Sequence, residues 1–133
     1  FEEKEEFAAP CRARGLVLVS LIAPTSADRI GQIAREAEGF LYCVSCLGVT
    51  GVRQTPAGSG GEMIRLAKAP APDLPCAVGF GISTPTQARE MAALSDGAVV
   101  GSAIVKLMDR YGREAPAHVG AYVAEIKAAL ARA

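Results

Sequence analysis

The chain has little of what several common functions require. Its only histidine is His118, and a zinc site takes about four nitrogen or sulfur ligands. Four cysteines are present, at 11, 43, 46 and 76, and Cys43-Val44-Ser45-Cys46 has the spacing of a redox pair or half a zinc site. No second ligand pair accompanies it, and thiols three residues apart on a strand tend toward opposite faces. These cysteines are therefore read as small reduced hydrophobes, with no metal site and a cytoplasmic setting. Fourteen basic residues cancel fourteen acidic ones, and no basic stripe interleaved with aromatics appears, which argues against nucleic acid as a partner. No apolar run approaches the roughly 20 residues of a membrane span, and no secretory leader pattern opens the sequence. It begins with Phe1 rather than Met, so something upstream is expected.

What is present is enough apolar material for a core. The 133 residues, half of them apolar, suit a single domain spanning residues 1–133. The organising stretch is CAVGFGISTPTQAREMAALSDGAVVGS, residues 76–102. Two short apolar runs, at 76–78 and 98–100, each stop at glycine, pass through a hydroxyl residue and enter a helical pattern. Gly81 and Gly101 remove the side chain where the backbone turns, and each following helix opens with unpaired N–H groups and the positive end of its dipole. Such an end suits a phosphate, although any α/β domain needs glycines and caps at its short loops. Ser83 or Thr84 can cap the first helix, with Pro85 in its first turn and Gln87 at capping-box distance from Thr84; Ser102 can cap the second. A phosphate pocket from the last two βα loops recurs in (β/α)8 barrels.

The remaining elements follow in order. Residues 1–14 are acidic in front and basic behind, as suits a helix dipole, with Pro10 expected to kink or shorten the helix. Gly15 ends it, and residues 16–23 form a nearly continuous apolar run of the kind buried on both faces in parallel sheets. Thr25, with Asp28 three residues on, can cap a helix whose buried stripe is Ile30, Ile33, Ala34 and Ala37, stopped by Gly39. A second strand covers 40–44. A long glycine- and proline-bearing connection runs to Gly61, and connections of this length are usually functional or mobile. A helix at 62–68, the third strand, a helix after Thr84 and the fourth strand follow. A helix over 103–111 carries Ile104, Leu107, Met108 and Tyr111 on one face. The last, over 118–132, has Val119, Tyr122, Val123, Ile126 and Leu130 as its stripe. Strands alternating with helices predict an α/β fold with a parallel sheet and right-handed crossovers. An open flavodoxin-like sheet is the alternative to a piece of a barrel, since closure depends on strand tilt and shear.

In a parallel sheet the functional groups project from the C-terminal strand ends. Phosphate donors, hydroxyls and the Tyr42 phenol are available there, but no carboxylate is; Asp96 precedes its strand and so belongs to the other end. The pocket has no evident general acid or base. Tyr42 could line it or sit in the core, Phe80 could wall it or pack beneath a helix, and Thr50 reads as a loop hydroxyl unless its loop closes over a ligand.

The segments LIAPTSADRI, GFLYCVSCLGVTGVR, AVGFGISTPTQA and GAVVGSAIVK resemble consecutive parts of the tryptophan synthase α chain, over strands five to eight of that family's (β/α)8 barrel. The resemblance implies a half-barrel of about four parallel strands, the C-terminal (β/α)4 half. It also implies a lyase of tryptophan biosynthesis, which cleaves indole-3-glycerol phosphate to indole and glyceraldehyde 3-phosphate by a retro-aldol reaction without a cofactor. Its partner would be a pyridoxal-phosphate-dependent β subunit. By the same resemblance Gly51, Phe80, Gly81, Gly101 and Ser102 bind the substrate phosphate, Tyr42 lines the site, Ile22 contacts the indole side, and Thr50 helps to align a catalytic carboxylate. The family's catalytic Glu and Asp come from early strands that are absent here, so the 133 residues alone are expected to be nearly inactive. The run 54–61 departs from the family pattern. A second reading is a non-catalytic phosphate-binding half-barrel that pairs with itself as a homodimer through its open sheet edges.

Overall fold

The structure, a computed structural model, describes residues 4–44, 58–79 and 81–131. Among them the elements run α1 (Lys4–Arg12), β1 (Ser20–Ile22), a 3-10 helix (Pro24–Arg29), α2 (Ile30–Glu36), β2 (Leu41–Val44), α3 (Gly58–Lys68), β3 (Cys76–Gly79), α4 (Pro85–Ala92), β4 (Gly97–Val99), α5 (Ser102–Tyr111), a 3-10 turn (Gly112–Glu114) and α6 (Ala115–Leu130). The four strands stand in chain order, β1-β2-β3-β4, each pair of neighbours parallel.

Register decides which side chains share a face. Ile22, Cys43, Val78 and Ala98 form one row across the sheet, and Leu21, Tyr42, Ala77 and Gly97 the row beneath, on the opposite face. The first row, with Leu41 and Cys76, meets the helices. Ile22, Leu41, Cys43, Cys76 and Val78 pack under Ile30, Ile33 and Ala34 of α2 and Met63, Ile64 and Ala67 of α3. Each large apolar side chain buried in this way contributes about 1.5–3 kcal/mol. A second cluster joins Ile82, Ala88 of α4 and Ile126 of α6, with Ala98, Tyr122 and Leu130 against it. Ala98 shares its row with Val78, so the helices enclosing both clusters cover one face of the sheet. That rules out the doubly wound alternative, which needs helices on both faces.

Local chemistry explains most boundaries. Helix α1 passes through Pro10 and closes on Gly15, whose φ of 66° lets the Gly15 N–H reach Arg12 O at 3.1 Å and the Leu16 N–H reach Cys11 O at 2.9 Å, a Schellman closure. Gly39, at φ 73°, turns the chain into β2. Several expectations are corrected. The strand expected over 16–23 is confined to Ser20–Ile22, because among the described residues β1 has a neighbour on one side only and β2 begins at Leu41; Leu16, Val17, Val19 and Leu21 are exposed. Thr25 caps nothing: Pro24 starts the turn earlier, and the Ala23 N–H donates to Ser26 Oγ at 3.4 Å. Nor does Ser102 cap α5, which begins on Ser102 with Gly101 as its cap residue, the Ile104 and Val105 N–H groups donating to Gly101 O at 2.9 and 3.1 Å. Helix α6 starts at Ala115 rather than 118 because Pro116 falls in its first turn, where no N–H is needed. No helix among the described residues is long and apolar enough to cross a membrane.

Candidate functional site

Two short turns lead from adjacent parallel strands into helices at the same end of the sheet. After β3 the chain reaches Gly81 at φ 69°, a conformation that L side chains rarely adopt, and then Ile82, which is buried. The cap that follows is the one its sequence predicts. Thr84 Oγ1 accepts the Gln87 N–H at 3.2 Å, while Gln87 Oε1 accepts the N–H groups of Ser83 at 3.0 Å and Thr84 at 3.2 Å and the Ser83 hydroxyl at 3.2 Å. Those N–H groups are spent inside the turn and are not donors to a ligand. The groups outside these caps are the Gly81 backbone and, after β4, the backbone of Gly101 and Ser102. A Cβ on Gly101 would meet nothing within 4 Å, so the space above that turn is open. Helices α4 and α5, of eight and ten residues, bring the positive ends of their dipoles to this end.

Tyr42 lies on the face away from the helices, half-buried, in register with Ala77. Its ring climbs across β3 onto Gly79. A Cβ built on Gly79 would overlap the Tyr42 hydroxyl and stand 2.9 Å from both Tyr42 Cζ and Val99 Cβ. Gly79 is thus the residue that lets the phenol reach toward the strand ends where the two turns begin. Sequence reasoning missed this; only the diagonal neighbour on β2 shows why the strand must end in glycine.

Ile22 does not join this group. It is 0 % exposed, walled in beneath α2 on the helix side. The physical reason is the strand's period of two: Ile22 pairs with Cys43, which places Leu21, 55 % exposed, on Tyr42's face. In the run LVLVSLIA every residue is apolar except the serine, so the sequence carries no phase that tells which of Leu21 and Ile22 faces the helices. Thr50, Gly51 and Phe80, together with Cys46 and most of the long connection, lie outside the described residues.

The turns Gly81-Ile82-Ser83-Thr84 and Val100-Gly101-Ser102 carry no carboxylate. Asp96 stands at the opposite end of the sheet, accepting from the Cys76 N–H at 2.7 Å and pairing with Lys68 Nζ at 2.8 Å. The Lys68 ammonium holds its carboxyl below the ordinary aspartate range, and the Cys76 N–H adds to this. Cys43 is pushed up to about 12 by burial, with the neighbouring Cys76 adding to the shift. Such a thiol is a packing group. Cys11, Cys43 and Cys76 are free thiols, and among the described residues no group of three or more His, Cys, Asp or Glu side chains could hold a metal. His118 is exposed and stacks on Tyr111, with ring centroids 3.5 Å apart.

Comparison with known proteins bears on this arrangement. The sequence model of the tryptophan synthase alpha chain matches residues 1–131. The chain is 52% identical over 106 residues to the tryptophan synthase alpha chain of Shouchella clausii, covering 80% of this chain and 39% of that one. A solved structure from Aquifex aeolicus VF5 superposes with a TM-score of 0.79 at 35% identity, covering 97% of this chain and 47% of that one. The tryptophan synthase alpha chain of Legionella pneumophila gives a TM-score of 0.76 at 28% identity, covering 97% and 48%. The chain therefore spans about half the length of these proteins or less, as a part of a barrel. A match along nearly all of its residues, in sequence and in fold alike, means that this chain belongs to the tryptophan synthase alpha chain family.

Proposed function

We propose that this chain is the phosphate-binding part of a lyase of tryptophan biosynthesis, which cleaves indole-3-glycerol phosphate to indole and glyceraldehyde 3-phosphate. The observation that carries this reading is the pair of glycine turns entering α4 and α5 from adjacent strands, with the Tyr42 phenol directed toward them. The backbone N–H groups of Gly81, Gly101 and Ser102, and those of Gly51 and Phe80, take the phosphate oxygens. Tyr42 lines the space between phosphate and ring. Thr50 aligns a carboxylate. Retro-aldol cleavage breaks one carbon–carbon bond, takes the proton of a hydroxyl as the aldehyde forms and returns a proton to the ring carbon; it needs no cofactor. The acid and base for those transfers are carboxylates outside this stretch, so the 133 residues bind without turning over. The released indole passes to a β subunit carrying pyridoxal phosphate. Addition of indole-3-glycerol phosphate to the labelled chain should shift the amide resonances of Gly81, Gly101 and Ser102 with no indole released. Unchanged resonances at those three positions under millimolar substrate would refute the reading.

One observation favours a second reading. Leu21 of β1 and Leu16, Val17 and Val19 just before it are exposed, and among the described residues β1 is an edge strand of the sheet; exposed edges of this kind pair with other strands. A homodimer joined edge to edge would cover them. Sedimentation equilibrium separates the readings: a monomer with an intact circular-dichroism spectrum at high concentration rules the homodimer out.

A further inference from the structure

The turn after β3 is held from two directions. From within, Gln87 Oε1 accepts the Ser83 N–H at 3.0 Å. From outside, the Tyr122 hydroxyl donates to Ser83 O at 3.1 Å across 39 residues of sequence. Tyr122 stands on α6 one turn before Ile126, so the two side chains share a stripe. Ile126 is buried with Ile82 and Ala88, and the Tyr122 ring packs against the same cluster. Ile82 and Ser83 follow Gly81 directly. The side chain of the first is gripped by α6, and the carbonyl of the second is tied to it.

We infer that Tyr122 is a positioning residue, through which the last helix holds the β3–α4 turn with the Gly81 backbone presented at the strand ends. The inference rests on the phosphate-binding reading above and deepens it. The fold alone does not require this bond, because α4 already has a complete cap in Thr84 and Gln87. What the capping box, which reaches back only to Ser83, does not hold is Gly81 and Ile82. Gly81 has no side chain, and its φ of 69° lies in a region glycine enters and leaves freely. An anchor on each of the two residues that follow removes that freedom, and a preorganised donor loses less on binding than one that must be ordered by its ligand. Burial raises the Tyr122 phenol above its ordinary value, so it stays protonated and able to donate at neutral pH.

The test is Tyr122→Phe in the full 133-residue chain, which keeps the ring against Ile82 and Ile126 and removes only the hydroxyl. Two readouts are followed: amide hydrogen exchange residue by residue, and inorganic phosphate titration monitored at the Gly81 amide. Loss of one hydrogen bond of ordinary net worth predicts exchange about three- to tenfold faster at Ile82 and Ser83, and a phosphate Kd raised by a similar factor. Amides within α5 should not change. Tyr111→Phe, which alters a tyrosine stacked on His118 away from the turn, serves as control and should leave both readouts alone. Unchanged exchange at Ile82 and Ser83, or equal acceleration throughout α6, overturns the inference. So does unaltered phosphate affinity where the unsubstituted chain binds. If the unsubstituted chain gives no phosphate response while turn exchange still depends on Tyr122, the phosphate reading fails and the brace stands.

Discussion

Replacing Gly79 by alanine puts one methyl group where Tyr42 and Val99 already meet. The new Cβ would overlap the Tyr42 hydroxyl and stand 2.9 Å from Tyr42 Cζ and from Val99 Cβ, closer than real Cβ atoms approach. The two neighbours can respond differently. Val99 Cβ is fixed to the β4 backbone, whereas the Tyr42 ring can rotate out over the open face. Overpacking of this kind costs about 1–3 kcal/mol, and alanine returns about 0.5–1 kcal/mol because glycine is the poorer strand residue. A net loss of about 0.5–2 kcal/mol follows. Urea denaturation measures it, followed by circular dichroism and by tyrosine emission, which the absence of tryptophan leaves unobscured. Made again with Tyr42→Leu in place, the substitution should cost about 1 kcal/mol less, the part due to Val99 remaining. A neutral or stabilising Gly79→Ala, or a coupling under about 0.3 kcal/mol, within the scatter of independent sites, would refute the reasoning.

Gly101→Ala separates fold from site: its Cβ meets nothing within 4 Å, so stability should stay within about 0.5 kcal/mol while phosphate affinity at the Gly81 and Ser102 amides drops. Gly81→Ala at φ 69° should lower both, stability by about 1 kcal/mol, as thermal melts would show. Asp96 makes stability fall in acid. Its folded pKa lies below the ordinary 3.8, so its contribution is complete above the unfolded value and is lost as pH drops through the folded one. Asp96→Asn should flatten the stability profile in that window, as urea midpoints taken at a series of acid pH values would show. Cys43 and Cys76, buried and with Cys43 raised to about 12, should stay unalkylated by iodoacetamide at neutral pH until urea unfolds the chain, as peptide mass mapping would reveal.

Much of the architecture is readable from local chemistry. The Thr84–Gln87 box, the stop at Gly15, the stripes of α2 and α6 and the alternation of strand and helix all depend on residues within a few positions of one another. Backbone preference and side-chain reach act at that range, so the order of elements, the parallel sheet and the two glycine turns follow from the sequence by itself. Register does not. The run before Pro24 is apolar on both faces, and only pairing with β2 sends Ile22 beneath the helices and Leu21 onto the face of Tyr42. Two further decisions have the same source. Gly79 is glycine because a phenol from the neighbouring strand lies over it, and the Gly81 turn is braced by a hydroxyl that stands 39 residues further along the chain from Ser83. Contacts between residues so far apart leave no period or motif in the sequence, because each is made only when the sheet and its last helix have come together.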